Sequence, residues 1–365
     1  MLETPALLID GQKLQTNIDE MASYAAAHGF ALRPHIKAHR LPPIARLQRV
    51  AGAAGFTCAK IGEAEMMAEH QFDNLLIAYQ VIGQPKLGKL HRLLDQASVI
   101  LGCDSLAGAQ ELNRVGAARG ERLQISLEVD SGLHRCGILP GRPALELAQS
   151  IRSACPHVSI VGVFTHAGQS YAAPGEIRQR EIAELEARSV VETAVMLQKD
   201  GFPIEQISVG STPTARFSHL YPGVTEIRPG NYVFYDATQV GLGVVPAERC
   251  ALTVLTTVIS RPAPDRLVVD AGSKVLGLDK GAHGVEVVRG YGIVVGWPNL
   301  TLERLSEEHG VLVADPAAAD LPRVGDQLQI IPNHACPVVY RADKVYYLGA
   351  DSTPEVWPSA MRGSL

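Results

Sequence analysis

The chain carries no long block of one charge. Its 33 Lys and Arg stand against 38 Asp and Glu over 365 residues, a net charge of −5. Binding to nucleic acid or to an anionic membrane needs clustered Lys and Arg, so neither is expected as the main function. No bilayer span is read either: the longest apolar stretches, such as Val158–Phe164, fall far short of the roughly 20 residues required. Glu3 and Pro5 follow Met1 almost at once, with neither a basic nor an apolar leader segment, so no secretion signal is read. Cysteine is sparse and scattered, at Cys58, Cys103, Cys136, Cys155, Cys250 and Cys336. A disulfide scaffold concentrates cysteines in a short chain, so these read as reduced thiols in a cytoplasmic protein. Five of them have small or apolar neighbours and are expected to be buried; Cys336 stands apart.

What is present is an ordinary globular balance, 46% hydrophobic and 19% charged, enough for a sizeable core. At about 150 residues per domain, the length fits two domains, or one large barrel with an extension. Eight short runs rich in Val, Ile, Leu or Phe fall in the first 240 residues: Phe30–Arg33, Gly55–Ala59, Asn74–Tyr79, Ser98–Gly102, Leu123–Val129, Val158–Thr165, Gln206–Gly210 and Val224–Arg228. Each is too short for a helix and reads as a strand. Helical patterns separate most of them. Leu14, Ile18, Met21 and Ala25 share a face, Pro42 and Pro43 suit a first turn, Ser105 can cap Ala107–Ala118, and Pro174–Asp200 allows six or seven turns. Eight β units alternating with helices predict an α/β fold, a (β/α)8 TIM-type barrel over residues 10–240. A doubly wound open sheet remains the alternative, because periodicity does not tell closed from open.

After Gly241 the pattern turns to strands and turns. Leu252–Ile259, Arg266–Val269, Val285–Val288, Gly290–Val295, Gly310–Val313, Gln327–Ile331 and Val345–Leu348 read as strands, punctuated by Pro262, Pro264, Gly281, Gly284 and Pro316. This predicts a second, β-rich C-terminal domain made of residues 1–9 and 241–365, joined by the N-terminal strand Ala6–Ile9.

In such a barrel, functional groups sit at the C-terminal strand ends, and phosphate tends to bind after strands seven and eight. Lys37 follows the first strand; burial and nearby cations would lower its pKa and suit it to Schiff-base chemistry, the alternative being a solvated loop lysine. The seventh strand runs into Gly210-Ser211-Thr212 and the eighth into Gly230-Asn231, small and hydroxyl-bearing turns whose N–H groups can approach an anion. With Lys37, these turns point to pyridoxal phosphate. Arg135 could then contact the cofactor's phenolic oxygen, and His166 or Tyr171 could line its ring. Otherwise Arg135 is a surface ion pair and His166 a core histidine. His334 and Cys336, two apart in what reads as an extended segment, could bind one ion, the thiolate favouring zinc over magnesium or calcium. His-x-Cys spacing alone is common.

Taken together, Arg33–Lys37, Asp130–Gly137, Thr165–Gly168, Val209–Thr214, Arg228–Tyr232, Asp270–Lys274, Ser306–Gly310 and Pro332–Pro337 resemble, in order along the chain, the D-threonine aldolase and D-serine dehydratase family. These are fold-type III pyridoxal phosphate enzymes with an alanine racemase-like barrel. The resemblance implies that Lys37 holds the cofactor, Arg135 its phenolic oxygen, and Gly210, Ser211, Thr212, Gly230 and Asn231 its phosphate. It implies a divalent metal on His334 and Cys336, zinc before manganese, a homodimer, and support from Glu307–His309. The His-x-Cys pair resembles the dehydratase branch, whereas aldolase-like members usually carry His-x-Asp. The expected activity is therefore dehydration of a D-β-hydroxy amino acid to a 2-oxo acid and ammonia. The alternative is retro-aldol cleavage to glycine and an aldehyde; below it stand a non-catalytic pyridoxal phosphate carrier and an amino-acid racemase. Arg40, Arg216 and Arg341 are each candidates to recognise a second substrate carboxylate.

Overall fold

In the computed structural model, residues 2–281, 285–316, 320–351 and 353–361 are described. The chain begins with β1 (Ala6–Asp10). Eight parallel strands follow: β2 (Ala31–Leu32), β3 (Phe56–Cys58), β4 (Leu75–Gln80), β5 (Val99–Cys103), β6 (Leu123–Glu128), β7 (Val158–Phe164), β8 (Gln206–Val209) and β9 (Glu226–Ile227). They pair in the order β2-β9-β8-β7-β6-β5-β4-β3. The two ends of that order meet. Ala54 N–H donates to the Leu32 carbonyl at 2.8 Å, Thr57 N–H donates to that of Pro34 at 2.9 Å, and His35 forms a parallel bridge with Thr57. The sheet thus curls round on itself, as the eight β units predict. Parallel strands wrapped by helices are covered on both faces, which is why β3 and β5 are buried throughout.

The helices start and stop where the sequence directs. The Ser105 hydroxyl accepts from Gly108 N–H at 3.2 Å and opens Leu106–Arg119. Pro42 and Pro43, with no N–H to lose, occupy the first turn of Pro42–Val50. The longest helix, Glu176–Lys199, presents Ile182, Ala183, Glu186, Ala187 and Val190 inward. No helix among the described residues is long and apolar enough to cross a membrane.

The remaining strands are β10 (Leu252–Ala263), β11 (Arg266–Val269), β12 (Gly292–Val294), β13 (Leu300–Leu305), β14 (Gly310–Ala314), β15 (Gln327–Pro332), β16 (Lys344–Leu348) and β17 (Pro354–Pro358). With β1 they form a second sheet, β13-β14-β11-β10-β1-β16-β17, and β15 joins β10 to β12. The N-terminal strand therefore enters this sheet as predicted, antiparallel to β10 with Ala6 opposite Leu255.

Three expectations are corrected. Val285–Val288 forms no strand, because among the described residues no neighbour supplies a ladder for it; the adjacent Gly284 lies outside the described residues. Two strands were not read: β13, whose Glu303 and Arg304 break the apolar run, and β17, flanked by prolines. Four of the five cysteines expected to be buried are buried, but Cys136 is exposed, because it lies in the turn after Arg135 rather than on a strand.

Candidate active site

At the C-terminal strand ends lies a cavity of about 590 Å³, walled on one side by the barrel and on the other by the segments around Asp279 and His334. Lys37, Arg135, His166, Tyr171, Gly210, Ser211, Thr212, Gly230, Asn231, His334 and Cys336, eleven residues singled out from the sequence, all line it. A smaller cavity of about 260 Å³ shares Lys37, His35, Arg135, His166 and Arg228, so Lys37 borders both spaces.

Lys37 sits in a single tight turn, Ile36–Ala38, capped by the His35 ring. Burial pushes its amine below the ordinary 10.5, opposed by Cys336 and Glu63 and assisted by Arg135 and Arg228. An unprotonated amine is therefore reached at a lower pH than for a solvated lysine. Burial also holds His35 and His166 well below 6.5, with Lys37 adding to the effect, so both rings are neutral near pH 7. The Tyr171 phenol is pushed up by burial and stays uncharged.

The turn after β8 is built from inside. Glu186, buried on the long helix, accepts from Gly210 N–H at 2.8 Å, from the Thr214 hydroxyl at 2.8 Å and from Ala167 N–H at 3.3 Å. Ser211 N–H donates to Thr214 Oγ1 at 3.1 Å. The N–H groups of Gly210 and Ser211 are thus engaged within the protein, while the buried Thr212 hydroxyl makes no well-formed hydrogen bond and has the Tyr171 side chain near it. Such a hydroxyl beside two glycines fits a phosphate oxygen. Gly210 has φ of +120°, a region costly for any other residue, and a Cβ at 230 would lie 2.8 Å from the His35 carbonyl. Asn231 donates one amide N–H to Asp236 at 2.7 Å, which fixes its side chain; its backbone N–H and second amide N–H remain to be offered to an anion.

Beneath the turn runs a buried polar layer. Arg33 pairs with Glu226 at 2.7 Å, Ser208 donates to the same carboxylate at 2.7 Å, and Arg228 donates to Ser208 at 2.7 Å and to the Thr165 carbonyl. Arg228 also lines the cavity. Arg135 is half-exposed, 3.9 Å from Glu128.

On the opposite wall, the expected extended segment is a helix, Ala335–Arg341, with His334 as its N-cap residue and Cys336 in its first turn. The two side chains share the cavity through this geometry and not through strand alternation. His334 Nδ1 lies 3.3 Å from Asp279 Oδ2. Burial disfavours a charge on His334, but Cys336, Asp279 and Asp236 overcome it and hold its pKa up to about 10. An imidazole and a thiol that line one cavity beside Asp279 form, once deprotonated, a donor set for a soft divalent metal.

His35, Arg228, Asp279 and Asp236 were not singled out as site residues. Asp236 is buried and accepts from Asn231 and from Ala335 N–H at 3.0 Å, tying one wall to the other. No motif announces it; only its partners in space identify it. Glu307 and Glu308 do not line the cavity: they are exposed and pair with Lys274 at 3.1 and 2.5 Å. Asp104, Glu128 and Cys136 also cluster, but Gln80 donates to both carboxylates.

The sequence pattern of the family described as "Alanine racemase, N-terminal domain" matches residues 9–238, and that of a serine dehydratase domain family matches 251–348. The chain is 36% identical to a D-threo-3-hydroxyaspartate dehydratase of Delftia sp. (strain HT23), over 98% of this chain and 97% of that protein. It is 30% identical to a D-threonine aldolase of Arthrobacter sp, over 99% and 93%. The solved structure of the Delftia dehydratase superposes with a TM-score of 0.92, covering 99% of this chain and 98% of that one.

Proposed function

The chain belongs to the alanine racemase-like family of fold-type III pyridoxal phosphate enzymes, and from that membership we propose a metal-dependent lyase that dehydrates D-β-hydroxy amino acids to a 2-oxo acid and ammonia. The observation that carries this reading is one cavity holding Lys37, the Gly210–Thr212 and Gly230–Asn231 turns, and the His334/Cys336 pair. A racemase has no use for the last.

Pyridoxal phosphate supplies an electron sink for the pair left at Cα, and a divalent metal a Lewis acid for the β-hydroxyl. We assign the cofactor to Lys37, with Thr212, Gly210, Ser211, Gly230 and Asn231 around its phosphate, Arg135 toward its phenolic oxygen, and His166 and Tyr171 along its ring. His334 and Cys336 are the assigned metal ligands, for zinc before manganese. Lys37, its amine pushed down by burial, takes the Cα proton. Neutral His166 and Tyr171 add no charge that would compete for it. Water leaves from Cβ, and hydrolysis of the resulting enamine releases ammonia. The proposed division of labour gives cofactor binding to residues 10–240 and metal binding to 1–9 with 241–365, in a cytoplasmic homodimer.

The aldolase relative keeps the second route in view. Product analysis with D-threonine, which can follow either, separates them. The expected result is 2-oxobutyrate and ammonia, abolished by a chelator. Glycine and acetaldehyde would make the enzyme an aldolase, and undiminished turnover after metal removal would end the metal-dependent reading.

A further inference from the structure

Three arginines are candidates for a second substrate carboxylate, and the fold separates them. Arg40 is 2.8 Å from Glu63 and stacks over Tyr340. Arg216 donates to Gln179 at 2.8 Å and stacks on Phe217. Neither lines the large cavity. Arg341 does, and among the described residues it has no hydrogen-bond or ion-pair partner.

Its position is specific. Arg341 ends the helix whose first turn holds Cys336, five residues and roughly 7.5 Å away along the axis. The guanidinium lies over the backbone of Gly277: a Cβ there would stand 2.9 Å from Nη1. Gly277 precedes Asp279 by two residues, so the cation rests beside the carboxylate that contacts His334.

Charge points the same way. Lys37, Arg135, Arg228 and Arg341 line the cavity, against the single carboxylate of Asp279, which His334 already engages. Lys37, Arg135 and Arg228 belong to the barrel side, so among the described residues Arg341 is the one lysine or arginine of the cavity on the His334 wall. If the β-hydroxyl is drawn to His334 and Cys336, the remaining substituent on Cβ shares that wall with Arg341.

We propose that Arg341 is a specificity residue that binds a carboxylate on Cβ, making the preferred substrate a β-hydroxy-D-amino dicarboxylate. This rests on the lyase reading above and names its substrate class. Arg forms charge-assisted, frequently bidentate hydrogen bonds to carboxylates, so its loss should be felt only by substrates that carry one.

The test compares D-threo-3-hydroxyaspartate with D-threonine in the wild-type holoenzyme, Arg341→Met and Arg341→Lys. The expected result is a wild-type preference for the dicarboxylate. In Arg341→Met, kcat/KM for it falls about 10- to 100-fold, mostly through KM, with D-threonine changed less than about 3-fold and partial rescue by Arg341→Lys. Equal losses on both substrates, or none, would overturn the proposal. Binding of D-aspartate and D-alanine, followed by the cofactor's absorbance, reads the same contact without elimination. D-aspartate binding that depends on Arg341, in an enzyme that converts no β-hydroxy amino acid, would keep this contact and sink the lyase reading. D-aspartate binding indifferent to Arg341 would do the reverse where turnover is intact.

Discussion

The two walls of the cavity are built differently. On the barrel wall, Glu186, Glu226 and Arg33 are buried, and each side chain that shapes the turn after β8 has several partners. On the other wall, His334 has Cys336 beside it and one long contact to a half-exposed Asp279, and Arg341 makes neither a hydrogen bond nor an ion pair among the described residues, its charge acting on Asp279. A multiply bonded buried network is costly to disturb, whereas a side chain held by one contact can be exchanged at small cost. The contrast suggests that one wall keeps a fixed group in place while the other meets the variable part of the substrate. Asp236, bonded to both, couples them.

The sharpest way to break the comparison is to disable each wall separately. Lys37→Ala should lower kcat by about 10⁴-fold and abolish the absorbance of covalently held cofactor. His334→Ala should cost about 3 kcal/mol, a factor of about 100 in kcat, while leaving that absorbance in place. If His334→Ala loses the cofactor as well, the walls are not separable.

A smaller effect is expected at Glu186. Glu186→Ala leaves the N–H groups of Gly210 and Ala167 and the Thr214 hydroxyl without their acceptor, at about 2–4 kcal/mol of stability. Denaturant unfolding checks the loss, and titration of the apoenzyme with pyridoxal phosphate should show weaker binding. Unchanged cofactor affinity would mean that the turn holds its shape without this support.

The smallest effect is on pH. His39 is fully buried two residues from Lys37, and burial lowers its pKa from 6.5 to about 4, against its hydrogen bonds. The unfolded chain binds a proton between those values that the folded chain refuses. Stability present above pH 6.5 is therefore lost as the pH falls toward 4, about 2 kcal/mol of it by pH 5. His39→Gln should show that much less difference between urea midpoints measured at pH 7 and pH 5. An equal difference would place the acid sensitivity elsewhere, for instance on the His334 wall.

Much of this was legible beforehand. Strand runs such as Val158–Thr165 and caps such as Ser105 rest on local rules of burial, spacing and hydrogen bonding, and they appear within a residue or two. Lys37 and the glycine turns were legible because a barrel's strand ends converge, so position in the β/α order predicts position in space. Other features had no local signature. The helix over Ala335–Arg341 contains Pro337 and two valines, poor helix formers, and is held by packing of Ala335, Val338 and Val339 among buried residues of the second sheet such as Val254, Ile330 and Val345. Val285–Val288 has strand composition but, among the described residues, no edge to join.

By itself, the order of residues determined the alternation of strands and helices, the lysine and glycine positions at the strand ends, and the presence of an imidazole and a thiol two residues apart. Those follow from interactions within a few residues, or from a repeating pattern. Tertiary structure decided which arginine of three faces the cavity, that Asp236 links its walls, and that Glu186, far along the chain, shapes the turn at Gly210. Each depends on which distant side chains are already neutralised or hydrogen-bonded, and that is settled only when the chain has folded round them.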